Sequence, residues 1–198
     1  MSALKYAFAA FIVFFAAGNA SAATPEIETF FFNKRVEGTQ WIVIGATPDG
    51  RQKRCDVLKK LDNGDIIVLA NGTSKGSALE VDASSPRWNF GSYGRSSRKL
   101  DVTVSFRASP NESDEKSFQI DAYPISNTMI IINDFERKAA RLPDLYSVFA
   151  GHGFIEYISS GAGPDIVITA DGYSAVFSLS GYQRVQPILV ECMNSASK

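Results

Sequence analysis

The chain offers few places for a nucleophile and a base to meet. Its one histidine, His152, stands between Gly151 and Gly153, with Asp144, Ser147 and Glu156 close by in sequence. An imidazole titrates near neutral pH, so a glycine-flanked turn presenting His152 could move protons for Ser147, with Asp144 orienting the ring. Acting on an envelope substrate, that trio would make a small hydrolase. A turn histidine also serves simply to cap a helix or to bond backbone, and no strand–turn–helix nucleophile context accompanies this one. The noncatalytic reading therefore comes first.

Other chemistries fit less well. A metal centre needs several nitrogen, sulfur or carboxylate ligands at one point, and one histidine with two cysteines is a poor supply. Asp62-Asn63-Gly64-Asp65 and the acidic run Asn111–Glu115 hold oxygen ligands, but not in the order of a calcium loop, and read as solvated turns. Carboxylate pairs such as Asp165 with Asp171, or Glu156 with Asp144, flank glycine or proline and are turn formers first. Gly161-Ala162-Gly163-Pro164 lacks the residues of a phosphate cradle, and Pro164 removes an amide donor. No metal and no cofactor is expected.

Binding chemistry is better represented. Arg87, Arg95, Arg98 and Lys99 frame Trp88, Phe90 and Tyr93 among glycines and serines. Rings in such a setting stack on a sugar or peptide while guanidinium groups meet carboxylate or phosphate, which makes Trp88, Tyr93, Arg95 and Arg98 the binding candidates. The competing reading places Trp88 and Phe90 in the core. Phe30-Phe31-Phe32 raise the same question: exposed, they imply a partner; largely buried, they need none.

The first residues place these candidates outside the cytosol. Lys5 is a positive n-region, Ala7–Ala17 an apolar run, and Ala20-Ser21-Ala22 a small-x-small cleavage pattern, so residues 1–22 read as a signal peptide. The apolar run is shorter than the about 20 residues a spanning helix needs, and nothing later is apolar enough. The remainder, 23–198, is one domain's worth of chain. With 20 basic and 21 acidic residues overall, no basic excess marks a nucleic-acid binder. Two cysteines in an exported chain make a Cys55–Cys192 disulfide the first reading and two separate buried thiols the second. Periplasm or extracellular medium is the implied location.

Strand signals dominate the elements that must position these residues. Runs around Glu28–Val36, Trp41–Ile44, Gln52–Leu58, Ile66–Ala70 and Ala78–Val81 are separated by Pro48-Asp49-Gly50, Asp62–Asp65 and Asn71-Gly72 turns. Leu100–Phe106, Ser117–Tyr123 and Asn127–Ile132 continue the pattern. Helices are expected over Asp134–Leu142 and Pro143–Gly151, then a strand over Phe154–Ile158. Ile166–Thr169 should pair with Ser174–Leu179 across Asp171-Gly172. The chain then ends in a helix with Ser180 as its cap, Val185, Ile188, Leu189 and Cys192 on one face, and a kink or break at Pro187. The fold class is α+β: a mainly antiparallel sheet with two or three short helices late in the chain, with a β-sandwich as the alternative.

Phe177-Ser178-Leu179-Ser180-Gly181 and Cys192, with Trp41 and Cys55 from the front of the domain, resemble the corresponding residues of small uncharacterised secreted or periplasmic bacterial proteins. Those proteins end in a strand, an S-L-x-G turn and a cysteine-bearing helix. The resemblance covers under a fifth of the chain and implies envelope localisation with a disulfide-stapled domain; it carries no catalytic residue. The leading expectation is a noncatalytic binding or accessory protein engaging an envelope protein or polymer, with the His152 hydrolase and an inhibitor or immunity-type protein as alternatives.

Overall fold

β-Branched and aromatic runs broken every few residues by Asx-Gly turns favour antiparallel pairing of sequence neighbours, because each turn returns the chain beside the strand it has just left. The computed structural model describes residues 29–47, 53–71, 79–91, 99–107, 116–135, 138, 154–159 and 165–196. Its strands are β1 (Thr29–Arg35), β2 (Trp41–Thr47), β3 (Arg54–Lys60), β4 (Ile66–Asn71), β5 (Glu80–Ser84), β6 (Leu100–Arg107), β7 (Lys116–Ser126), β8 (Met129–Ile132), β9 (Asp165–Ala170) and β10 (Tyr173–Ser178). Helix α1 is Phe154–Ser159, and a 3-10 turn, Tyr182–Arg184, leads into helix α2, Val185–Ala196.

The strands form one sheet in the order β1-β2-β3-β4-β5-β8-β7-β6-β9-β10, every neighbouring pair antiparallel. This is the expected α+β class, mainly antiparallel with its helices late in the chain, and the sheet is continuous where a sandwich would have two. Inward side chains of β2–β5, such as Val43, Val57 and Leu69, share one core with Val104, Ile168 and Phe177 of the other half. The sheet therefore folds over on itself. Edge strand β10 is tied at both ends to residues from the first part of the chain. Trp88 Nε1 donates to the Tyr173 carbonyl at 3.0 Å, and Lys59 Nζ donates to the Ser178 carbonyl.

Helix α2 packs on β1, β2 and β3. Cys192 on the helix and Cys55 on β3 form a disulfide across 137 residues of chain, with Cα atoms 6.2 Å apart. Val185, Leu189 and Cys192 are buried, as the helical spacing requires. Ser180 is not the cap. Gly181, at φ 80°, opens the 3-10 turn, while the Ser180 carbonyl accepts from Trp41 Nε1 at 3.0 Å. Pro187 introduces no break within α2: it is the third residue, in the first turn, where its missing N–H has no helical acceptor to lose.

Phe154–Ile158 is helical, against the strand expected there. Phe154 and Ile158, four apart, are both buried on one helical face, a pattern that a short apolar run shares with a strand. The Asp171-Gly172 hairpin forms as expected, both residues at positive φ, 48° and 73°. The signal peptide, the Pro48–Gly50 turn and the Pro143–Gly151 helix lie outside the described residues, as does most of Asp134–Leu142. No helix among the described residues is long and apolar enough to cross a membrane.

Candidate binding surface

His152, Ser147 and Asp144 lie outside the described residues, as do Tyr93, Arg95 and Arg98. A G-x-S-x-G pattern occurs at Gly72–Gly76, between β4 and its antiparallel neighbour β5. Gly72–Gly76 likewise lie outside the described residues. Among the described residues, no three histidine, cysteine, aspartate or glutamate side chains converge to hold a metal ion.

Trp88 is placed in the core, 1% exposed, which corrects its expected role as a stacking ring. Its indole packs against Phe90 with centroids 5.8 Å apart, and its N–H is used on Tyr173. The Arg87 guanidinium stacks 4.4 Å from the Tyr173 ring centroid, and the Asn89 amide donates to Asp171 Oδ2 at 2.8 Å. Residues 87–90 thus brace the β9–β10 hairpin. Alternation could not distinguish this segment from a surface loop, because its polar neighbours are used on backbone and on a ring.

The Phe30–Phe32 question is settled by a β-bulge. Register shifts between Phe30 and Phe32, so Phe30 pairs with Ala46 and Phe32 with Gly45. The Phe31 ring lies over Gly45, where a Cβ would stand 2.6 Å from its Cε2. Phe31 and Phe32 pack against the core, and Lys53 Nζ sits 5.6 Å from the Phe31 centroid. Phe30 remains 42% exposed.

Beyond Phe30 the strand carries exposed Asn33, Lys34 and Arg35. Lys34 pairs with Glu191 of α2 at 2.7 Å, both half exposed, which orients β1 over the helix. β1 pairs with β2 on one side and with no strand among the described residues on the other. An edge strand presents a row of backbone donors and acceptors, ready for another chain. Here that row is flanked by an open aromatic ring at one end and cationic groups at the other.

Four charged residues among the described ones are buried, Asp56, Lys59, Asp65 and Asp82, and Asp65, at 0% exposed, corrects the reading of Asp62–Asp65 as a solvated turn; Lys59 and Asp82 stand out. Lys59 points into the core between β2 and β10, 4% exposed, its Nζ 5.0 Å from the Trp41 centroid. Burial lowers its pKa, opposed by the charge of Asp165. Asp82 on β5 is fully buried, and its carboxyl is pushed well above the usual range by burial, then by Glu80 and Asp56. Both occupy strand positions whose neighbours alternate correctly, so the signal was burial on both faces of the sheet.

No protein-family model matches the chain, and no curated protein and no solved structure shows significant similarity to it.

Proposed function

We propose that the chain is a noncatalytic binding protein of the bacterial envelope, and that it takes an extended segment of an envelope protein onto the β1 edge. The observation that carries this reading is the side of Thr29–Arg35 that pairs with no strand among the described residues, beside exposed Phe30, Lys34 and Arg35. Strand addition draws affinity from main-chain hydrogen bonds and specificity from alternate side chains. The matching segment alternates aliphatic and acidic residues, its carboxylates meeting Arg35 and its apolar groups meeting Phe30. Envelope placement rests on the signal-like residues 1–22 and the disulfide.

The test is amide NMR of the protein against a synthetic peptide of alternating valine and glutamate. Shifts concentrated in Thr29–Arg35, abolished when the peptide is N-methylated at alternate residues and weakened by Arg35→Ala, are expected. Shifts confined to other strands, indifference to N-methylation, or no binding would overturn the reading.

A further inference from the structure

The face of the sheet turned away from the main core carries an apolar cluster of Leu58, Ile66 and Val68, with Ile42 against it. Strand register places three carboxylates on this same face. One rung runs Ile44, Asp56, Ala70, Glu80; the next runs Leu58, Val68, Asp82, Ile131. Asp82 is 0% exposed, and neither of its carboxyl oxygens has a hydrogen-bond partner. An ionised carboxylate buried so completely carries a desolvation penalty that protonation removes.

The nearby positive charge does not remove that penalty. Arg54 Nε lies 2.8 Å from Asp56 Oδ2, and the guanidinium charge opposes the rise at Asp82 without reversing it. The charged groups that reach Asp82 are Glu80 on its own strand, and Asp56 and Arg54 from β3. From β4 and β8 the facing residues are Val68, Ala70 and Ile131, which carry no charge. The acidic side chains do not converge on a metal-sized point. A proton neutralises a fully buried carboxyl without needing further ligands.

We propose that Asp82 is a proton-binding site at the seam of the sheet, and that losing its proton loosens the join between β5 and β8. That seam is where the β1–β5 meander meets the second half, through four residue pairs, Val81↔Ile132 to Ser84↔Met129. Asp82 pairs directly with Ile131 within it. Ionising Asp82 places a charge between two apolar neighbours, and opening the seam is the route by which water reaches it. The raised position of its titration, caused by burial and by Glu80 and Asp56, has the sign this device needs. A carboxyl whose folded-state pKa exceeds its unfolded value stabilises the fold at low pH and loses that contribution as pH rises through the folded value.

Two measurements on the whole protein test the site. In carbon-13 NMR the Asp82 carboxyl should titrate above the ordinary aspartate value of about 3.9. Hydrogen-exchange protection factors of Val81–Ser84 and Met129–Ile132 should fall about tenfold per pH unit between that value and the Asp82 midpoint, then level off. Asp82→Asn should flatten this dependence. An Asp82 carboxyl titrating at or below the ordinary value, or an Asp82→Asn protein that keeps the wild-type slope, overturns the proposal. Should the variant fail to fold, the wild-type carboxyl titration decides.

Discussion

Trp88 and Tyr173 meet through one hydrogen bond, 3.0 Å from indole Nε1 to carbonyl oxygen, that joins the segment after β5 to the first residue of edge strand β10. Trp88 is buried and Tyr173 half-buried, so the bond lies partly out of water. Trp88→Phe keeps most of the apolar volume but loses this hydrogen bond, and should lower stability by about 0.5–1.5 kcal/mol in chemical denaturation. Peptide affinity of the folded variant should be unchanged. A stability equal to wild type would show that the carbonyl is satisfied without Trp88.

Cys55 and Cys192 tie β3 to the final helix. Cross-linking residues so far apart restricts the unfolded chain strongly, and Cys55→Ala should cost about 2–5 kcal/mol by denaturant titration. Thiol titration of the wild type under denaturing, nonreducing conditions should find no reactive group. Two reactive thiols would remove the staple from the account.

Lys59 gives a pH dependence of defined sign. Burial lowers its pKa in the folded protein, so the unfolded chain holds the proton more tightly and protonation favours unfolding. Its penalty is fully present below the folded pKa and is relieved as pH rises towards the unfolded lysine value of about 10.4. Lys59→Met should flatten that alkaline rise in stability, read from denaturation midpoints across the window. A rise of the same slope in the variant would assign it to another group.

Lys34 and Glu191 lie 2.7 Å apart but are 47% and 50% exposed. Solvent screens such a pair, so Glu191→Ala should change stability by less than about 1 kcal/mol. A larger loss would mean that the contact holds β1 onto α2 by more than charge.

The sequence made the fold class legible because local signals and global pairing agree. The Asp62–Asp65 and Asp171-Gly172 turns lie between strands that pair directly, and Val185, Leu189 and Cys192 fall on one buried helical face. Phe154–Ile158 was misread because four-residue spacing over so short a run does not distinguish a helix from a strand. The site was far less legible. Trp88 carries the composition of a recognition residue, yet its destination is set by Tyr173, far along the chain. Asp56 and Asp82 alternate with apolar residues as solvent-facing strand residues do, and nothing in alternation records that the second face is buried too.

Gly45 links packing to the proposed binding edge. A Cβ there would stand 2.6 Å and 2.7 Å from Phe31 ring atoms and 2.8 Å from the Phe32 Cβ, so the bulged strand must move away to admit a methyl group. Overpacking of this kind costs about 1–3 kcal/mol. Because the displaced strand is β1, Gly45→Ala should also shift the Thr29–Arg35 amide resonances and weaken capture of the valine–glutamate peptide. The remote substitution Lys99→Ala, which removes an exposed ion pair with Asp121, should leave both unchanged. Full peptide affinity in a Gly45→Ala protein with displaced β1 resonances would separate binding from the β1 edge.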